Sequence, residues 1–128
     1  MKIAALAARL LLGLLFTIFG LNMFLHFIPT PQEPPGAAGQ FATLLGSTHY
    51  ILAVGAVMVV SGALLLIGRF IPLALTFLGP VLVNILLFHL LMAPASIGMG
   101  LFATLLWFIL FARHRTAFTG IFQARVSQ

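Results

Sequence analysis

The sequence contains no cysteine and a single acidic residue, Glu33, and both shortages exclude classes of function. Without cysteine the chain has no disulfide, no thiolate metal ligand, no iron–sulfur cluster and no CxxC redox motif. One carboxylate cannot supply the pair of acidic groups that serve as acid and base in many hydrolases. Ser47 and His49 are close in sequence, but nothing identifies the orienting group or the oxyanion hole that a serine–histidine pair needs.

Charge of either sign is scarce. Only 5% of the residues are charged, whereas about a quarter are charged in a typical soluble domain. Hydrophobic residues make up 62% of the chain and the mean hydropathy is +1.24, which indicates a membrane protein. The net charge of +5 comes from six Lys and Arg residues spread along the chain. This spacing is typical of topology signals rather than of a nucleic-acid-binding patch, so we expect no nucleic-acid partner.

Four long apolar segments predict four membrane-spanning helices. The first segment covers residues 10–28, within a span at about 6–28, and the others cover about 50–67, 70–93 and 95–112. Each is close to the roughly 20 residues that cross a bilayer, and none alternates in polarity as barrel strands do. Tight connections at Gly68 and Pro94 make successive helices antiparallel neighbours. The expected fold class is therefore all-α, a single-domain integral membrane four-helix bundle.

All six basic residues fall on one side of these four spans. They precede the first span, lie between the second and third, or follow the fourth: Lys2, Arg9, Arg69, Arg113, Arg115 and Arg125. The positive-inside rule then predicts that both termini are cytoplasmic, with an outer loop at 29–49 and a cytoplasmic tail at 113–128. The first segment is expected to be retained, because its apolar part is too long for a signal peptide and no cleavage site follows directly.

The outer loop and the tail have distinct compositions. Four prolines restrict the start of the loop to extended or turn conformations: Pro29, Pro31, Pro34 and Pro35. Residues 37–45 suit either a plain connector, which we favour, or a short helix at the membrane surface. The tail mixes Phe118, Ile121 and Phe122 with basic residues, which is typical of an interfacial segment on anionic lipid.

Polar side chains within the predicted spans concentrate at the outer end. Asn22 and His26 are four residues apart and would share one helical face near the end of the first span. His49 begins the second span, while Asn84 and His89 lie in the outer half of the third, about 140° apart around an ideal helix. Polar residues in a span usually face protein or water. We therefore predict an outer-side pocket formed by these five residues, with Asn22 and His26 jointly holding a polar ligand group or water.

Several ligands fit the chemistry of such a pocket. Histidine beside an amide suits a quinone carbonyl, and nearby aromatic residues would supply an apolar slot: Phe24, Phe27, Tyr50 and Phe88. A haem between His26 and His89, or a zinc ion held by those two and His49, is an alternative that lacks supporting motifs. The polar residues equally suit a purely structural role, tying helices together.

Small residues on the first helix suggest a different class of function. Gly13, Thr17 and Gly20 form a stripe about 180° from Asn22, which permits close backbone approach. If the polar face points inward, this stripe would contact another chain, either a complex partner or a second copy. The alternative is packing against a helix of the same bundle. Residues Gly55 and Gly62 form a similar stripe on the second span.

Two stretches resemble a known family. "RLLLGLLFTIFGLNMFLHFIP" at 9–29 and "VNILLFHLLMAP" at 83–94, together with the four-span length, resemble the DoxX family of small bacterial membrane proteins. The family is named after a subunit of a thiosulfate:quinone oxidoreductase and has no agreed catalytic residues. The resemblance implies a setting, a membrane-bound redox complex. Together with the predicted pocket it indicates a multi-pass protein of the bacterial inner membrane that is a redox-associated, quinone-handling subunit of such a complex. Whether it is an enzyme stays open, and a non-catalytic assembly subunit is the alternative.

Overall fold

The computed structural model describes residues 1–29 and 35–127, whose regular secondary structure is all helical, with no strand. The predicted loop residues Pro31, Glu33 and Pro34 lie outside this part of the chain. The α-helices in it are α1 (Lys2–Leu25), α2 (Ala37–Ser47), α3 (Tyr50–Ile67), α4 (Ile71–Met92) and α5 (Gly98–Arg113). Short 3-10 helices precede and follow α5, at Pro94–Ser96 and Arg115–Phe122.

Three of these helices, α1, α3 and α4, are long and apolar enough to cross a membrane. The helix α5 has 16 residues, which corresponds to a length of about 24 Å. It is followed by the Arg115–Phe122 helix after a bend of 84°, and the two together make a fourth candidate span. Within residues 1–29 and 35–127, the protein is thus all-helical, with three or four candidate membrane-spanning helices.

The helices α1 and α3 pack antiparallel through small residues. A Cβ atom added to Gly62 would lie 2.7 Å from the Thr17 backbone nitrogen and 2.9 Å from the Gly13 carbonyl oxygen. One added to Gly20 would lie 3.0 Å from the Gly55 carbonyl oxygen. The stripe of Gly13, Thr17 and Gly20 is therefore covered by α3 of the same chain, which is the intramolecular alternative. Close approach of the two backbones requires glycine at Gly20 and Gly62.

Arg9 joins the start of α1 to the end of α3. Its Nη1 donates hydrogen bonds to the carbonyl oxygens of Leu65 at 2.6 Å and Leu66 at 3.3 Å. These carbonyls belong to the last turn of α3, where acceptors lack helical partners and a positive charge is favourable. Gly68 ends the helix with φ of 77°, and a side chain there would also meet the Arg9 guanidinium. Arg9 therefore caps the C-terminal end of α3.

The four helices α1, α3, α4 and α5 contact one another in a closed order, in which each helix packs against two of the others. The main contacts of α1 are with α3 and α5, and those of α4 are with α3 and α5. Between α4 and α5, the Trp107 indole Nε1 donates a hydrogen bond to the Leu75 carbonyl oxygen at 2.9 Å. The largest fully buried apolar side chains come from all four helices: Leu12, Phe16, Leu65, Leu75, Leu78 and Leu110.

The helix α2 occupies a region for which a plain connector was favoured, and that interpretation is wrong. Its small face packs on the N-terminal end of α3 and the C-terminal end of α4, with Ala38 only 1% exposed. Phe41 contacts Phe88 of α4, with ring centroids 5.7 Å apart. An 11-residue helix is marginal in isolation, so tertiary packing decides whether it forms.

Candidate functional site

A half-open cavity of about 560 Å³ lies between α2, α3 and α4. Its walls are mostly apolar, with Phe41 and Leu45 from α2, Val54 and Met58 from α3, and Phe88 from α4. The volume falls within the roughly 300–1,000 Å³ typical of small-molecule sites. The cavity is therefore large enough for a ring-sized lipophilic ligand.

Asn84 and His89 supply polar groups to the lining of this cavity. Both come from α4. The cavity includes both because its lining extends over a wide arc of that helix, facing α2 and α3. The Asn84 amide Nδ2 donates a hydrogen bond to the Pro80 carbonyl oxygen at 2.9 Å. His89 Nδ1 lies 2.8 Å from the Ile85 carbonyl oxygen. A carbonyl oxygen only accepts hydrogen bonds, so Nδ1 carries the proton and Nε2 of the neutral ring is an acceptor.

Asn22 and His26 do not form the shared helical face predicted for them. The helix α1 ends at Leu25, and His26 adopts a left-handed conformation with φ of 50°. The positive φ rotates its Cβ away from the position it would have in a continued helix. The Asn22 Oδ1 accepts a hydrogen bond from the Ile28 backbone N–H at 2.8 Å. Asn22 thus holds the chain just beyond the helix, and His26 is exposed.

His49 is also separate from the cavity. It precedes α3 in a left-handed conformation with φ of 60°, and its side chain is exposed. The structure therefore brings Asn84 and His89 together in the cavity lining and leaves Asn22, His26 and His49 outside it. Of His26 and His89, the pair considered as haem ligands, only His89 lines this cavity. No group of three or more His, Cys, Asp or Glu side chains at 1–29 and 35–127 could hold a metal ion, so the three-histidine zinc alternative is not supported.

The aromatic slot is partly different from the predicted one. Tyr50 and Phe88 line the cavity, but Phe24 and Phe27 do not. The contribution of α2 was missed, although its buried or lining positions follow the helical spacing of i, i+3, i+4 and i+7: Ala38, Phe41, Ala42 and Leu45. That spacing was the signal in the sequence that could have indicated a packed helix here.

Comparison with known proteins found no matching family model, curated protein or solved structure. The resemblance to the DoxX family therefore stays a prediction from the two sequence stretches. The class of this protein is therefore defined by its architecture alone. It has apolar candidate membrane spans and a mostly apolar cavity lined by a few polar side chains.

Proposed function

We propose that this chain is a multi-pass membrane protein that binds a lipophilic ligand of the quinone class between α2, α3 and α4. The observation that carries the proposal is the cavity of about 560 Å³, with mostly apolar walls and three hydrogen-bonding side chains, Tyr50, Asn84 and His89. Small-molecule sites typically combine a largely apolar lining with a few placed polar groups. A quinone likewise combines a large apolar part, its tail, with a few polar atoms, the two oxygens on its ring.

The ring would lie against the aromatic part of the lining. Phe41 and Phe88 contact each other across the α2–α4 junction, with centroids 5.7 Å apart. Phe88 also meets the imidazole of His89 edge to face, at 5.1 Å. A planar ligand entering beside these residues would have its oxygens within the same region as His89 and Asn84. This is the basis for assigning the polar head to α4 and the tail to the apolar opening.

The proposed setting is a membrane complex with redox chemistry, in the bacterial inner membrane, as expected from the DoxX resemblance. In such a complex this subunit would hold and orient the quinone. A purely structural assembly subunit is the other candidate. The stripe of Gly13, Thr17 and Gly20 does not favour it, because α3 already covers those residues.

The proposed topology is a four-helix bundle formed by α1, α3, α4 and α5, with both termini cytoplasmic. It is supported by the closed order of helix contacts and by the position of the basic residues at one end. Reporter fusions at the two termini test it directly. Both reporters should be active on the cytoplasmic side. Opposite locations would require an odd number of spans and would overturn the proposed topology.

A pair of alanine variants tests ligand binding in this cavity. Ala42 lines it, whereas Ala56 is exposed on α3 and does not. Ala42→Phe adds bulk inside the cavity, and Ala56→Phe adds the same bulk outside. The full chain in nanodiscs should bind a short-tail quinone, decylubiquinone, and lipid extracts should contain co-purified quinone. We expect Ala42→Phe to lose this binding and Ala56→Phe to keep it. Equal binding by both variants, or no binding by the parent chain, would contradict the proposal.

A further inference from the structure

The two polar side chains that α4 contributes to the cavity have already used hydrogen-bond donors within that helix. His89 gives its Nδ1 proton to the Ile85 carbonyl oxygen at 2.8 Å. Asn84 gives one amide proton to the Pro80 carbonyl oxygen at 2.9 Å. What remains on a neutral His89 is the lone pair of Nε2, and Asn84 retains Oδ1 with one further N–H. The free hydrogen-bonding capacity of the α4 wall is therefore mainly that of an acceptor. The Tyr50 hydroxyl, which lines the cavity from α3, can both donate and accept.

From this geometry we infer that the cavity prefers the reduced, hydroxyl-bearing form of its quinone-type ligand over the oxidised, carbonyl-bearing form. The inference rests on the proposed function and adds the redox form that the site selects. A quinol O–H can donate to His89 Nε2, whereas a quinone carbonyl would bring a second acceptor against it. A desolvated acceptor without a donor is costly, and the penalty corresponds to a difference in affinity of about tenfold.

The matching of donors and acceptors decides the selectivity because the two ligand forms have nearly the same size and tail. Apolar contact with Phe41, Phe88 and Met58 is equivalent for both. Asn84 and Tyr50 can serve either form, since Asn84 has both an oxygen and one free N–H and the Tyr50 hydroxyl can both donate and accept. His89 is therefore the specificity-determining residue, and the Ile85 carbonyl oxygen is the group that sets its tautomer.

Titration of three matched ligands into nanodiscs under anaerobic conditions tests the inference. The ligands are decylubiquinol, decylubiquinone and the dimethyl ether of decylubiquinol, which keeps the reduced ring but has no O–H donor. Empty nanodiscs provide the blank for partitioning into lipid. We expect the quinol to bind about tenfold more tightly than either of the other two. Equal affinities would overturn the inference and leave the proposed function intact. Absence of binding by all three would overturn the proposed function itself.

Variants of His89 separate hydrogen bonding from shape. His89→Gln keeps an amide that can donate to Ile85 and an oxygen that can accept from the ligand, so the quinol preference should persist. His89→Phe removes the acceptor, so quinol affinity should fall by about tenfold, while quinone affinity should not fall, because the quinone loses only an unfavourable contact between two acceptors. Met92→Leu alters another lining residue without changing polarity and should leave the ratio unchanged. An equal loss of both ligands in His89→Phe would mean that this residue acts through shape, which overturns the inference.

Discussion

The helix α3 packs against its neighbours differently on its two sides. Towards α1, glycines bring the two backbones together, and a Cβ atom on Gly62 would lie 2.7 Å from the Thr17 nitrogen. Towards α4 and α2, Val54 and Met58 border a cavity of about 560 Å³. Side-chain size explains the contrast, since small residues let helices approach closely and larger residues hold them apart. One side is suited to holding the fold together and the other to admitting a ligand.

The polar side chains can also be divided into those that stabilise the fold and those that are available to a ligand. The Asn22 oxygen is bound to the Ile28 backbone N–H at the end of α1. Arg9 is bound to carbonyls at the end of α3. Each of these groups completes the hydrogen bonding of a helix terminus. Asn84 and His89 also bond within their own helix, but they retain acceptors at the cavity wall. Free hydrogen-bonding capacity beside an apolar cavity is what distinguishes a candidate binding residue from a structural one.

The largest effect is expected from filling the tight side of α3. Gly62→Ala places a methyl group against the Thr17 nitrogen and the Gly13 oxygen, which are backbone atoms and cannot turn aside. We expect the free energy of unfolding to fall by about 3 kcal/mol. Gly79→Ala is the matched control, because its Cβ would only touch the Trp107 ring at 3.8 Å. Thermal or denaturant unfolding in nanodiscs measures both. Equal stability of the two variants would mean that the α1–α3 contact is looser than described.

The next largest effect is expected from removing the Arg9 cap. Arg9→Gln weakens the hydrogen bonds to the Leu65 and Leu66 carbonyl oxygens and removes the charge at the end of α3. The expected loss in the free energy of unfolding is about 2 kcal/mol. Lys2→Gln removes the same unit of charge from an exposed residue at the start of α1 and should have little effect. A similar loss in both variants would assign the effect to net charge instead of the cap.

A comparison of two asparagines separates stability from ligand binding. Asn22→Leu leaves the Ile28 N–H without its partner, so stability should fall by about 1 kcal/mol while quinone retention is unchanged. Asn84→Leu removes a polar group from the cavity and should reduce retention with a smaller loss of stability. Co-purified quinone and unfolding curves are measured on the same samples. If Asn22→Leu instead loses ligand at unchanged stability, the α1 end belongs to the binding site.

The smallest effect concerns His114, which follows α5 and lies outside the predicted spans. Burial lowers the pKa of its imidazole, and the adjacent Arg113 charge lowers it further. The folded state therefore binds a proton less readily than the unfolded state, whose pKa is near 6.5. As the pH falls through 6.5 towards the lower folded-state pKa, the unfolded state is protonated first and stability decreases. At higher pH both states are neutral and this contribution is constant.

Unfolding curves between pH 5 and 8 should show this shallow loss of stability on the acidic side of about 6.5. His114→Gln has no imidazole to titrate, so its curve should be flatter over the same range. A variant that keeps the full slope would assign the pH dependence to another group. His114→Gln changes the basic C-terminal end of the chain, which is remote from the cavity. Ligand binding by this variant should therefore be unchanged.

The sequence by itself determined the long apolar helices of this protein, though not α2. Long apolar segments bounded by glycine and proline predict helical spans, because hydropathy and backbone freedom are local properties. The second segment, at 50–67, has the same bounds as α3. The small-residue stripe on α1 could also be found from spacing alone. Its partner could not, because a stripe has the same pattern whether it faces the same chain or another.

Only the tertiary structure decided which polar residues share a site. Asn22 and His26 have the spacing of one helical face, but α1 ends at Leu25, between them. His26 itself adopts the left-handed conformation that ends the helix. Asn84 and His89 have the spacing of two different faces, but both line the cavity between α2, α3 and α4. The packing of α2 depends on contacts with residues far along the chain, such as Phe41 with Phe88. Periodicity specifies direction around a helix, and the neighbours that lie in that direction are set by how the helices pack.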